Sequence, residues 1–135
     1  RRASVLVPIC TVESVPSVMF TLRSADVTTH KSEISFPGGH RECGTDANSV
    51  DTAIRETKEE LASPEGWYDY DEGISVAGKT GKVPSLTGVM VTPVVGAFGR
   101  DLPSSAEEFA RLFPGNPGEV DCVFTVPVHD LLEKE

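Results

Sequence analysis

Three glutamates stand at positions 56, 59 and 60 of this 135-residue chain, directly after Arg55. At about 100° of rotation per residue they fall within one ~100° arc of a helix. Val50, Ala53, Ile54, Thr57 and Leu61 fall on a different, more apolar arc. Like charges four apart destabilise a helix by a few tenths of a kcal/mol, so packing does not explain the cluster. A carboxylate face of this kind suggests a cation, and hard oxygen ligands favour Mg²⁺, Mn²⁺ or Ca²⁺. The plain alternative is a solvated helix face on which Lys58 and Arg55 pair with the glutamates. Arg55 lies four residues before Glu59, where its fork can hold that carboxylate in a metal-binding rotamer. As a bare surface ion pair it would contribute little.

Other residues flank this face. Phe36-Pro37-Gly38-Gly39 ends sixteen residues before Arg55, and its glycines read as a strand-ending turn requiring positive φ. Arg23, Lys31, His40 and Arg41 lie around it, as scattered cations that in an acidic protein are usually solvated. Glu119, in Asn116-Pro117-Gly118-Glu119-Val120, is either a distal carboxylate of the site or a loop residue at the start of a strand. His30 reads as structural or exposed rather than catalytic. Trp67, Tyr68 and Tyr70 read as a local apolar plug rather than a base-stacking platform.

These groups need elements to hold them. Residues 4–10 and 17–22 read as two strands joined by a turn around Pro16. A short strand is expected over 34–36, ended by Pro37 and the two glycines. Residues 41–48 form a loop, and Asn48 or Ser49 caps the helix that follows, with Asp51 near its positive end. That helix runs to Leu61 or Ala62 and breaks at Ser63-Pro64. Residues 67–72 are expected to be loop, 74–78 a short strand and 79–82 a basic turn. The β-branched run 89–98 reads as a central strand. A short helix is expected over 106–112, a last strand over 120–126 and a terminal helix from Val128. Strands mixed with helices, without regular alternation, point to an α+β arrangement in α/β/α layers around a mixed sheet.

Composition bounds the function. The length fits a single domain over 1–135. A hydrophobic fraction of 39% and a charged fraction of 24% are ordinary for a soluble globular chain. No apolar run approaches the ~20 residues of a membrane span. The formal charge of -9 argues against a broad nucleic-acid surface, though a metal can supply local positive charge for one nucleotide. Cys10, Cys43 and Cys122 have neither metal-site nor disulfide-framework spacing, so a reduced, intracellular protein with two core thiols is expected. The chain opens at Arg1 without Met, which predicts a fragment or processed form.

Gly39, Arg55-Glu56 and Glu59-Glu60 together resemble the Nudix box, G-x5-E-x7-R-E-U-x-E-E-x-G-U. Its second half matches closely. In its first half the Gly-to-Arg spacing is sixteen rather than fourteen, and no Glu occupies the first Glu position, with Glu42 and Asp46 nearby. Thr57 replaces an aliphatic residue and Ala62 a glycine. Leu22-Arg23-Ser24, His30 and Glu33-Ile34-Ser35-Phe36-Pro37-Gly38-Gly39 further resemble the segment before the box in coenzyme A diphosphatases, which often carry a longer loop after Gly-Gly. Ser32 stands where that subfamily usually has glycine. Val91-Thr92-Pro93, Asn116-Pro117-Gly118-Glu119 and Val126-Pro127-Val128 extend the resemblance over nearly the whole chain.

The resemblance implies a Nudix-type α/β/α sandwich and hydrolysis of a nucleoside diphosphate linkage with Mg²⁺ or Mn²⁺. It implies Glu56, Glu59 and Glu60 as metal ligands and catalytic residues, with Arg55 orienting them and the Gly39 backbone close to metal. Arg23, Gly38, Gly39, Arg41 and Glu119 would contact substrate. Coenzyme A or an acyl derivative is the expected substrate, giving 3′,5′-ADP and (acyl-)phosphopantetheine, and Arg23 is ranked first for the adenosine 3′-phosphate. Alternatives are a 5′-phosphorylated or capped RNA end, NADH, a dinucleoside polyphosphate, or a degenerate domain that binds without turnover. A partner is then a small nucleotide diphosphate rather than long nucleic acid. Oligomeric state is left open, as is a peroxisomal or mitochondrial setting.

Overall fold

A computed structural model describes residues 2–28, 31–63, 73–85 and 88–133. The expected loop at 67–72, its aromatic residues and His30 lie outside the described residues. The elements are β1 (Arg2–Val12), β2 (Val15–Arg23), β3 (Ile34–Ser35), β4 (Gly38–His40), α1 (Ser49–Leu61), β5 (Ile74–Lys79), β6 (Val83–Pro84), β7 (Met90–Leu102), α2 (Ala106–Leu112), β8 (Val120–Pro127) and α3 (Val128–Glu133). The expected strands and helices all form, and β4 and β6 are additions.

One mixed sheet runs β3-β2-β1-β7-β5, with β4 on β1, β6 on β7 and β8 on β2. Among the described residues only β1 and β7 pair in parallel, and the other ladders are antiparallel. The run around Val94 is central, as its unbroken apolar character requires. The fold is therefore α+β around a mixed sheet.

Helix α1 packs on β1, β4 and β7. Its apolar arc meets Leu6 and Val94 through Ala53, with Val50 and Ile54 beside them. Asn48 is the cap, its side chain accepting from the Asp51 N–H at 2.9 Å. Thr57 is fully buried in the place of an aliphatic residue, and its hydroxyl donates to the Ala53 carbonyl at 2.7 Å. That bond removes the cost of burying the hydroxyl. A second core cluster joins Met19, Leu61, Phe98, Phe113 and Val120 below the helix end.

The helix ends at Ala62, which holds φ 52° and ψ 35°. A left-handed residue with a Cβ costs roughly 1 kcal/mol, and glycine would relieve it. Ala62→Gly should therefore raise the melting temperature, by the equivalent of about 0.5–1 kcal/mol after the added unfolded-state entropy is deducted. Thermal denaturation monitored by circular dichroism checks this, and an unchanged or lower midpoint would contradict it. Ser32 shows the same pattern, with φ 57° where a related segment would carry glycine.

Cys10 is buried and its thiol is pushed up to about 11 by burial. Cys122 is exposed, like Cys43, so there is one core thiol among the three cysteines and not two. In β8 both Asp121 and Cys122 are exposed between the buried Val120 and Val123.

Candidate active site

The glycines of the Phe-Pro-Gly-Gly segment sit in a strand rather than a turn. β4 pairs Gly38 with Val5 and Gly39 with Ser4 on β1, and neither glycine has positive φ. The expectation of a positive-φ turn is thus corrected. Close approach demands these glycines instead. A Cβ on Gly38 would meet the Ser4 carbonyl and would stand 2.7 Å from Val5 Cα. A Cβ on Gly39 would lie 2.5 Å from the Glu56 carboxyl carbon. Gly39 is therefore the hole into which Glu56 reaches.

Glu60 is buried beside it. One carboxylate oxygen accepts from the Gly38 N–H at 3.1 Å. Burial pushes its pKa up to about 7; the Gly38 bond and Arg23 oppose this, and Glu56 and Glu119 add to it. Glu56 is raised as well, chiefly by burial, with Arg55 pulling the other way.

The sixteen-residue spacing is resolved by Asp46. The loop after β4 turns back so that Asp46 lies buried under Arg55, accepting from Nε at 2.9 Å and Nη2 at 2.8 Å. Asp46 also accepts from the Glu42 N–H and the Thr52 hydroxyl. The Arg55 bonds, foremost, hold its carboxyl well below the usual range. Arg55 Nη1 reaches Glu56 at 2.8 Å and Glu59 at 3.4 Å, and Nη2 reaches the His40 carbonyl. The bidentate grip of the fork is on Asp46, while Glu59, the partner the helix spacing suggested, is reached by Nη1 alone at 3.4 Å. Helical spacing sees only neighbours on one helix, and the better bidentate partner comes from the loop. Glu42, the other acidic residue in that loop, stays 3.8 Å from Arg55 and 60% exposed.

A cleft of about 780 Å³ opens over these groups. Arg23, Gly38, Gly39, Glu56, Glu60 and Glu119 all line it. The far side is assembled by backbone bonds. Asn116 N–H donates to the Glu60 carbonyl and Gly115 N–H to that of Leu61, while Ser24 N–H donates to the Glu119 carbonyl. These tie the Glu119 loop to the end of α1 and to the Arg23 strand. Three expected residues do not line the cleft: Glu59, Arg41 and Arg55, the last of which is engaged by Asp46. The Glu59 side chain is 51% exposed. Arg41 instead donates to the Ala47 and Asp46 carbonyls at 3.1 and 3.4 Å, because the tight loop leaves those carbonyls without ladder partners.

No family model matches the chain. An uncharacterised Nudix hydrolase, NudL, of Cronobacter sakazakii is 37% identical over 132 residues, covering 98% of this chain and 60% of the relative. NudL of Escherichia coli K12 is 36% identical over the same shares. The chain is similar to these Nudix hydrolases over nearly its whole length. It spans about 60% of the length of these curated relatives. Solved structures agree on the Nudix fold. A Nudix hydrolase from M. smegmatis, RenU, superposes with a TM-score of 0.67 at 15% identity, covering 98% of this chain and 74% of that one. A C. elegans Ap4A hydrolase gives 0.64 at 15% identity, covering 98% and 84%.

Nudix hydrolases generally use divalent cations, and the donor set here fits one: every candidate ligand is a carboxylate or carbonyl oxygen. Glu56, Glu59 and Glu60 are the residues that would hold it, beside the Gly39 backbone. Among the described residues no three acidic, His or Cys side chains already close around a common point. Glu56 and Glu59 share Arg55 Nη1 and Glu60 is turned to Gly38, so ligation requires these side chains to re-aim.

Glu60 makes the stability of this fold pH-dependent. Folded, it keeps its proton to about pH 7, against an ordinary value of 4.5. The folded state then binds more protons between those limits, so stability falls as pH rises through that window and stays reduced above it. At about 1.4 kcal/mol per pH unit, the loss is on the order of 3 kcal/mol. Without metal, Glu60→Gln should melt several degrees above wild type at pH 8 and close to it at pH 5. A difference that does not vary with pH would contradict the assignment.

Proposed function

We propose that this domain is a pyrophosphohydrolase that cuts a nucleoside diphosphate linkage, with coenzyme A or an acyl derivative as preferred substrate. The observation that carries it is the gathering of Glu56, Glu60, Glu119 and Arg23 with the Gly38–Gly39 backbone around one cleft. A divalent ion held by the glutamates would offset phosphate charge and lower the pKa of bound water. Glu60, raised to about 7, is poised to take a proton near neutral pH. Arg55, anchored on Asp46, keeps Glu56 turned toward Gly39. Arg23, which lines the same cleft, is the cation for a remote phosphate.

A second reading has its own support. Fold neighbours include an Ap4A hydrolase and a Shewanella oneidensis NrtR Nudix domain complexed with ADP ribose, the latter with a TM-score of 0.58 at 14% identity. The cleft would also take such nucleotides.

The test compares coenzyme A with dephospho-coenzyme A, ADP-ribose and NADH under Mg²⁺ or Mn²⁺, with products read by mass spectrometry. Coenzyme A should be cut fastest. Arg23→Ala should raise its KM about tenfold or more, as loss of a charge-assisted bond worth roughly 1.5–3 kcal/mol implies. The same variant should leave the KM for dephospho-coenzyme A unchanged. Equal harm to both substrates would make Arg23 structural, and faster cleavage of ADP-ribose or NADH would favour the second reading. Binding without products from any nucleotide would make this a non-catalytic module.

A further inference from the structure

A second, separate pocket of about 400 Å³ lies at the start of α1. Arg2, Arg41, Lys79 and Lys82 line it, and no carboxylate does. Four of the chain's twelve lysines and arginines therefore converge on one hollow of a protein whose formal charge is -9. Chance scatter on an acidic surface would mix signs there. The acidic residues of the adjoining loop are turned to other partners: Asp46 grips Arg55, and Asp51 accepts from the Ala47 N–H. Arg2, Lys79 and Lys82 make no ion pair among the described residues, and only Nη2 of Arg41 is engaged.

Three separate pieces of chain supply these cations. Arg2 comes from the first residue of β1, Arg41 from the loop after β4, and the lysines from the end of β5 and the turn beyond it. The turn is held by the Thr80 N–H donating to the Pro93 carbonyl at 3.0 Å. The floor includes Ser49, whose hydroxyl is buried without a hydrogen-bond partner. The thirteen-residue helix α1 begins at this residue and directs its positive end here. Like charges held this close repel one another until an anion offsets them.

We infer that this pocket is a binding site for a phosphate dianion, free or carried by a small molecule, distinct from the hydrolytic cleft. The two linings share only Ala3. Alternation along β1 explains the separation: Ala3 and Val5 point into the cleft, while Arg2 and Ser4 project from the opposite face. The site does not depend on the substrate proposed above, because none of its four cations lines the cleft.

The test titrates inorganic phosphate, and separately AMP, into the whole chain by calorimetry at constant ionic strength with EDTA present. Without metal the acidic cleft repels these probes, so only the cationic pocket should respond. Saturable one-to-one binding is expected, weakened at least about tenfold by Lys79→Glu with Lys82→Glu. Glu56→Gln should not weaken it. Tighter binding of AMP than of phosphate would assign a phosphate ester, and equal binding free phosphate. Backbone NMR shifts on phosphate addition should centre on residues 79–82 and 48–49, and Lys82→Gln alone should reduce them. This arm holds if the double variant folds poorly. Absence of saturable binding, affinity indifferent to the lysines, or shifts confined to Arg23 and Glu119 would overturn the site.

Discussion

Glu56→Gln and Glu60→Gln each lower turnover of a nucleotide diphosphate by at least about a hundredfold, with Mg²⁺ or Mn²⁺ saturating. Each change removes a cation ligand, or the group that takes the proton from water, and such contributions are typically about 10²–10⁴-fold. Stability should not account for the loss. Glutamine keeps the acceptor that Gly38 N–H uses, and removing one carboxylate relieves repulsion between neighbours at i,i+4. Both variants should therefore melt at or above the wild-type temperature without metal, and Glu56→Gln should gain less from added metal. Glu59→Gln is the sharper case, because that side chain is half exposed and outside the cleft lining. A hundredfold loss there means Glu59 swings in to ligate. Near wild-type turnover in Glu56→Gln and Glu60→Gln would remove the site assignment altogether.

Asp46→Asn lowers turnover about tenfold or more and also lowers the melting temperature by several degrees. The bidentate grip on Arg55 is lost, and a cation with only a fifth of its side chain exposed loses its principal counter-charge. Arg55 then no longer fixes Glu56 against Gly39. Glu42→Gln provides the contrast, since Glu42 is 3.8 Å away and mostly exposed. It should behave like wild type in both measurements. If Glu42→Gln is the damaging change and Asp46→Asn is silent, the loop uses the other carboxylate in solution. Melting curves and steady-state kinetics on the two variants decide this.

Much of the site was legible because its signals are local. Glu56, Glu59 and Glu60 share a helix, so 3.6-residue periodicity alone places them on one arc. A cap at Asn48 or Ser49 and a helix end at Leu61 or Ala62 follow from short-range chemistry, and Asn48 and Leu61 are the residues observed. Asp46 was visible only as one of two acidic residues near an empty box position. Which of them meets Arg55 depends on how the loop folds back and on the Thr52 hydroxyl that helps hold it. The glycines were assigned the wrong reason for the same cause: a close approach between β4, β1 and α1 leaves no mark on local sequence, whereas a turn would. Arg41 was read as a substrate contact from its nearness to Gly39, but a neighbour in sequence can face away, and it satisfies loop carbonyls instead.

The sequence by itself carried the resemblance to Nudix hydrolases through its motif residues, and it determined the α+β class, the central β-branched strand and the glutamate-bearing helix, because periodicity and caps act over a few residues. Tertiary structure alone decided the rest. It set Asp46 under Arg55, buried Glu60 deeply enough to raise its proton affinity, and brought Arg23 and Glu119 into the same cleft through strand pairing and backbone bonds between distant segments. It also gathered Arg2, Arg41, Lys79 and Lys82 around one hollow. Burial and through-space charge depend on residues far apart in the chain, and no local pattern encodes that distance.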